Sequence, residues 1–131
     1  MTENNNSNSQ FIKNFWTVTL AQQQEKMVDY FDKAAVIRWH NTNEQFTVSD
    51  FIRANCEYPG KWQGEVERIE EINNLIITAT AVWIEDKTAA FHVVSFFRFN
   101  NGKIVELDEY WGDDGPAPQW RRDLKIGGRI N

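Results

Sequence analysis

The segment from Thr88 to Trp111 constrains the fold most, because it sorts its side chains by face around a single turn. Asn100-Asn101-Gly102 separates two runs of β-forming residues and reads as a hairpin turn. A two-residue Asn-Gly loop would set Phe97 and Phe99 on one face with Glu106 and Ile104. A three-residue loop, with Gly102 in the left-handed conformation, pairs Phe97 with Val105 and Ser95 with Leu107. In that second register one face carries Phe91, Val93, Ser95, Phe97, Phe99, Val105, Leu107, Glu109 and Trp111. The other carries His92, Val94, Phe96, Arg98, Ile104, Glu106, Asp108 and Tyr110. Segregation by face fixes register wherever one face is buried, so the three-residue loop is preferred.

The first of these faces is apolar except for Ser95 and Glu109. Even a neutral polar group left without a partner there costs roughly 2–7 kcal/mol. Glu109 must therefore be protonated, paired or at a wet rim. One reading is a carboxyl with a raised pKa in an aromatic pocket, suited to acid–base work. The other is a rim carboxylate paired with Arg121 or Arg122 of the C-terminal segment. Ser95 reads first as a hydroxyl bonded within the sheet.

The rest of the chain orders itself around this hairpin. Residues 1–9 are polar and Asn/Ser-rich, and are expected to be a disordered tail. Residues 10–131 are expected to form one domain, with an irregular C-terminal tail from about residue 112. Ile12, Phe15, Trp16, Thr19 and Leu20 recur at helical spacing, with Ser9 as a cap. A second short helix carries Met27, Val28 and Phe31 and ends near Asp32. Ala34 to His40 is a strand. Thr47 caps a third helix that runs to about Cys56, with Phe46 and Phe51 at the staple positions. Trp62–Ile72, Leu75–Ile84 and the last hairpin complete a run of antiparallel strands. Helices followed by consecutive strands predict an α+β fold, with the helices packed on one face of a bent antiparallel sheet.

Composition narrows the function classes. With 131 residues the chain suits one domain with its own core. A formal net charge of -5 leaves no basic footprint for nucleic acid. No apolar run is long enough to span a membrane, and the N-terminus lacks a signal pattern. Cys56 is the single cysteine, and two histidines are too few for most transition-metal sites. The expectation is a cytoplasmic, cofactor-free and metal-free domain. Its aromatic share is 14%, with six Trp, nine Phe and three Tyr, which is enough ring surface to line a cavity as well as a core.

The stretch Val93-Val94-Ser95-Phe96-Phe97-Arg98-Phe99, continued through Gly102-Lys103-Ile104 to Glu109-Tyr110-Trp111, resembles the nuclear transport factor 2-like superfamily. The likeness is to its SnoaL-like and ketosteroid isomerase-like branch and covers about Gln10 to Gly112. It implies a cystatin-like cone: three N-terminal helices packed on a strongly bent antiparallel sheet, with an apolar pocket between them. Ketosteroid isomerases keep a protonated Asp in the penultimate strand; Ser95 matches that position here. Their catalytic base ends the first strand, where this chain reads Arg38-Trp39-His40 and has no carboxylate. Phe15 or Trp16 falls where they use a Tyr on the first helix, so the steroid isomerase constellation is absent. The Tyr-Trp pair ending the last strand does match, and the resemblance puts Trp111 in the pocket.

The expected site therefore combines Trp16, Trp39, Ser95, Phe97, Leu107 and Trp111 as contacts for a small apolar molecule, the alternative being a non-catalytic dimeric binding or association module whose pocket is filled by its own side chains. His40 and Glu109 are the candidate acid–base residues. His40 is the ionisable ring nearest the expected pocket, although strand-end histidines are more often structural. Whether Trp39 or His40 turns inward stays open. Arg38 reads first as an outward ion pair. The resemblance also implies a homodimer through the outer sheet face, which bears Val94, Phe96 and Tyr110. Lys125 to Arg129 is expected to fold back over the acidic Glu106–Asp114 region.

Overall fold

A computed structural model describes the backbone of residues 3–131, and the side chains from Asn8 onward. Helix α1 (Glu3–Leu20) is followed by α2 (Gln24–Met27) and a 3₁₀ turn (Val28–Tyr30). Strands β1 (Phe31–Trp39) and β2 (Glu44–Phe46) precede α3 (Val48–Cys56). Strands β3 (Trp62–Ile72), β4 (Leu75–Ile84), β5 (Ala90–Asn100) and β6 (Lys103–Asp113) follow, and α4 (Gln119–Asp123) lies in the C-terminal arm. The strands form one curved, open sheet in the order β2-β1-β6-β5-β4-β3. The α+β architecture expected from the sequence is thus observed. One detail differs: β1 pairs with β6 in parallel, while every other neighbouring pair is antiparallel. Consecutive strands give antiparallel hairpins, but β1 reaches β6 only through the long intervening chain, so its direction was not legible locally.

Phe15 is the centre of the core. Fully buried on α1, it meets Trp16, Tyr30, Phe31 and Phe97 edge to face and stacks with Phe51. Ile12, Met27, Ile37, Ile104 and Leu107 close around these rings with no exposed surface. Burying each large side chain stabilises the fold by about 1.5–3 kcal/mol. Thr47 caps α3 by accepting from the backbone N–H of Asp50 at 3.1 Å, as its sequence predicts.

Four boundaries differ from expectation. The helix α1 begins at Glu3, so the described part of the expected tail is helical; Met1 and Thr2 lie outside the described residues. Ser9 is inside that helix rather than capping it, and donates to Glu71 at 3.2 Å. Extending a helix already nucleated by a buried face costs little per residue, even for polar side chains. Phe31 opens β1 and turns into the core, which ends the second helical segment at Tyr30, two residues early. Strand β2, three residues long, has too short a pattern to read. The C-terminal arm is not irregular throughout, since β6 runs to Asp113 and α4 forms beyond it. It does not fold back over Glu106–Asp114 either: residues 112–131 are all exposed, Arg121, Arg122 and Lys125 among them.

The hairpin register also changes. Asn100 pairs with Lys103, and both Asn101 (φ 52°) and Gly102 (φ 76°) are left-handed, which makes a two-residue turn. A bulge then inserts Val105, so that Arg98 pairs with Glu106, Phe97 with Leu107 and Ser95 with Glu109. Ile104 is consequently fully buried, not outward as expected. The extra residue restores the inward direction of Leu107, Glu109 and Trp111, which is why those three were read correctly from the wrong pairing while Val105 and Ile104 were not.

The helix α1 lies close against β3 at Gly64. A Cβ there would meet the Ala81 carbonyl oxygen at 2.6 Å and Leu20 Cδ1 at 2.9 Å. Gly64→Ala should therefore destabilise the fold by about 1–3 kcal/mol in chemical denaturation. An unchanged midpoint would show that this approach is looser than described.

Candidate functional site

A buried polar row crosses four adjacent strands under α1. Trp39 on β1 stands opposite Glu109 on β6, Glu109 opposite Ser95 on β5, and Ser95 opposite Thr78 on β4. Thr78, Ser95 and Glu109 are all essentially without exposure. Each finds a partner along or above the row. The indole N–H of Trp39 donates to Glu109 Oε1 at 2.9 Å, and Ser95 Oγ donates to Glu109 Oε2 at 2.7 Å. From α1, Trp16 Nε1 donates to Thr78 Oγ1 at 3.3 Å. Trp111, two residues on from Glu109, also turns its indole N–H toward the carboxyl. That N–H does not complete a hydrogen bond and is buried without an acceptor among the described residues.

Burial pushes the Glu109 carboxyl up to about 7, against the lowering pull of the Ser95, Trp39 and Trp111 donors. The desolvation of the charged form outweighs the two hydrogen bonds and the nearby third N–H, because no cation among the described residues compensates it. Of the two readings of Glu109, the rim pairing with Arg121 or Arg122 fails, since both arginines are exposed on α4.

Beside this row lies a cavity of about 340 Å³. Its wall is a chain of rings. Tyr58 and Trp62 have centroids 5.0 Å apart, Trp62 and Phe91 5.9 Å, Phe91 and Trp111 6.0 Å, and Trp111 and Trp39 6.1 Å. Trp16 and Leu20 on α1 line it too, with Val82 from β4. Its polar lining includes Asn41, Thr42, Glu44, Asn55 and Asp113. The Asn41 side-chain oxygen accepts from the backbone N–H of Trp111 at 3.2 Å and ties the β1–β2 loop to the end of β6.

Of the expected contact residues, Trp16, Trp39 and Trp111 line this cavity. Phe97 and Leu107 do not; both have no exposure and belong to the core beneath α1. Ser95 and Glu109 are also absent from the lining and sit behind the Trp39 and Trp111 rings. The structure settles which residue ending β1 turns inward: Trp39. His40 lies on the outer face, where Nε2 meets Asp108 Oδ1 at 2.7 Å and its ring stacks on Tyr110 with centroids 4.4 Å apart. The strand period places neighbouring side chains on opposite faces, so Trp39 and His40 could not both reach the cavity. Arg38 shares the outer face and pairs with Glu106 and Asp108. Sequence reasoning missed Tyr58, Trp62 and Phe91. Phe91 was on the correct face, and Trp62 opens a strand of alternating exposure, so period-2 patterning could have found both.

The raised Glu109 value makes a pH prediction. Between about pH 4.5 and 7 the native state holds a proton that the unfolded chain releases. Stability should therefore fall as pH rises through that window and level off above it, by roughly 3 kcal/mol in all. Glu109→Gln keeps a donor and an acceptor but cannot ionise. Denaturation of both proteins at pH 5 and pH 8 should show the variant gaining on the parent as pH rises. Parallel pH dependence in the two proteins would mean Glu109 does not titrate in this range.

No family model matches the sequence, and no curated protein is similar to it. Solved structures are similar. The crystal structure of an NTF-2-like protein of unknown function from Burkholderia xenovorans LB400 has a TM-score of 0.78 and 25% identity, covering 97% of this chain and 98% of that one. A proposed ketosteroid isomerase from Kribbella flavida DSM 17836 also has a TM-score of 0.78, at 18% identity over 95% of this chain and 90% of the other. A proposed SnoaL-like polyketide cyclase from Shewanella putrefaciens CN-32 has a TM-score of 0.69 and 11% identity, over 80% and 79% of the two chains.

Proposed function

We propose that this chain, a nuclear transport factor 2-like domain of the SnoaL-like and ketosteroid isomerase-like branch, binds a small, flat, largely apolar molecule in its ring-walled cavity. The carrying observation is the cavity itself. At about 340 Å³ it falls within the usual range for small-molecule sites and is lined mainly by rings, with a few polar groups at its margin. A core filled by its own side chains would leave no such space. Glu109 acts as a positioning group in this reading. Its hydrogen bond holds the Trp39 indole, and the Trp39 ring in turn walls the cavity.

A second reading adds catalysis. The Glu109 carboxyl, with its value raised to about 7, is suited to give or take a proton near neutrality. Cofactor-free isomerisation, dehydration or cyclisation would use it once a ligand moved the Trp39 or Trp111 ring aside. Glu109→Gln separates the two readings, since it would abolish turnover of a converted ligand while leaving the wall in place. His40 has no part in either reading.

The outer sheet face supports a homodimer as a further part of this proposal. Val94 and Tyr110 are 39% and 48% exposed, and Phe96 packs edge to face on Tyr110. Leaving these residues uncovered in the middle of a sheet exposes an apolar patch that a second copy would bury. Sedimentation should show a concentration-dependent dimer that Val94→Arg weakens; a monomer at every concentration would remove this part.

Ligand binding is tested by calorimetry with 2-acetylnaphthalene as a flat apolar probe. Saturable one-site binding is expected, weakened by Trp111→Ala about ten-fold, the upper range for loss of one aromatic contact. Absence of saturable binding by the parent protein would overturn the proposal.

A further inference from the structure

The cavity combines ring surface with charge of one sign. Glu44 and Asp113 line it, and neither forms an ion pair among the described residues. Among the described residues the Glu44 side chain has only the Thr42 hydroxyl, which donates to it at 2.7 Å. None of the described lining residues is Lys, Arg or His. Two carboxylates therefore stand at the margin of an aromatic enclosure that contains no compensating cation.

We infer that the ligand of this cavity is an amphipathic cation, an apolar body bearing a tertiary or quaternary ammonium group. The inference rests on the binding reading above and specifies its ligand class. Aromatic faces carry negative potential, and an ammonium within about 6 Å of a ring centroid is attracted by roughly 0.5–2 kcal/mol, most strongly by Trp. The walls are Trp16, Trp39, Trp62 and Trp111, with Tyr58 and Phe91 between them. A cation seated among these rings also approaches Glu44 and Asp113, which stand exposed at the margin and attract it through solvent, most strongly at low salt. An anion of the same shape would meet both carboxylates and find no donor cation. The chain's net charge of -5 adds a long-range bias of the same sign. Asn41, Thr42 and Asn55 would contact the remaining polar part of such a ligand without favouring either charge.

Three probes sharing one ring system test this. They are (2-naphthylmethyl)trimethylammonium, its neutral carbon isostere 2-neopentylnaphthalene, and 2-naphthylacetate. Binding to the full chain is followed by tryptophan fluorescence at low salt and about pH 5.5, below the raised Glu109 value, so that this buried carboxyl stays neutral. The cation should bind about ten-fold or more tighter than the isostere, and the anion most weakly. Added salt, and Glu44→Gln combined with Asp113→Asn, should each narrow that preference. Equal affinity for cation and isostere, or a preference untouched by the double variant, would overturn the inference while leaving the cavity a ligand site. Failure of all three probes to bind saturably would instead remove the binding reading itself.

Discussion

The hydrogen-bonded carboxyl of Glu109 is the constraint around which the rest of the structure is arranged. A carboxyl with 1% exposure survives in an apolar layer only with its oxygens occupied and its charge suppressed. Neighbours on adjacent strands meet the first condition, Trp39 across the parallel β1–β6 pair and Ser95 across the antiparallel β5–β6 pair, and burial itself meets the second by disfavouring the charged form. The register of three strands is therefore tied to one side chain. A slip of one residue in either pairing would turn Ser95 or Trp39 to the outer face and leave the carboxyl without that donor.

The same arrangement divides the molecule's ring surface into three layers. Phe15, Phe31, Phe51 and Phe97 fill the core under α1 and leave no space. Trp39, Trp62, Phe91 and Trp111 stand at one end of the sheet and enclose the cavity with the C-terminal ends of α1 and α3. Tyr110, Phe96 and His40 lie outside. The aromatic excess is thus a core, a cavity wall and an outer patch on one curved sheet. Glu109 sits at the boundary of the first two and holds one of the wall's rings by its N–H.

Much of this was legible in the sequence for a physical reason: strand alternation is local. The inward set Val93, Ser95, Phe97, Leu107, Glu109 and Trp111 follows from period-2 sorting alone, and the Thr47 cap from hydrogen-bond chemistry within four residues. What was not legible depends on distant chain. The Val105 bulge follows a two-residue turn and returns Leu107 inward, and without a bulge the pattern favoured the three-residue loop instead. The parallel β1–β6 pairing joins segments some seventy positions apart, and it decides that Trp39 faces Glu109 while His40 is sent outside. Phe97 and Leu107 were correctly placed on the inner face, but the sequence does not show where core ends and cavity begins. That boundary is fixed by how far α1 extends over the sheet.

The direct measurement is a pH titration of the Glu109 side-chain carboxyl carbon by NMR in the ligand-free protein. A carboxyl buried behind Trp39 and Trp111 and bonded to Ser95 should titrate with a midpoint near 7, well above the ordinary glutamate range of about 4.3. A midpoint in that ordinary range would mean the group is solvated, and the account of a sealed polar row organising the sheet and the cavity wall would be wrong.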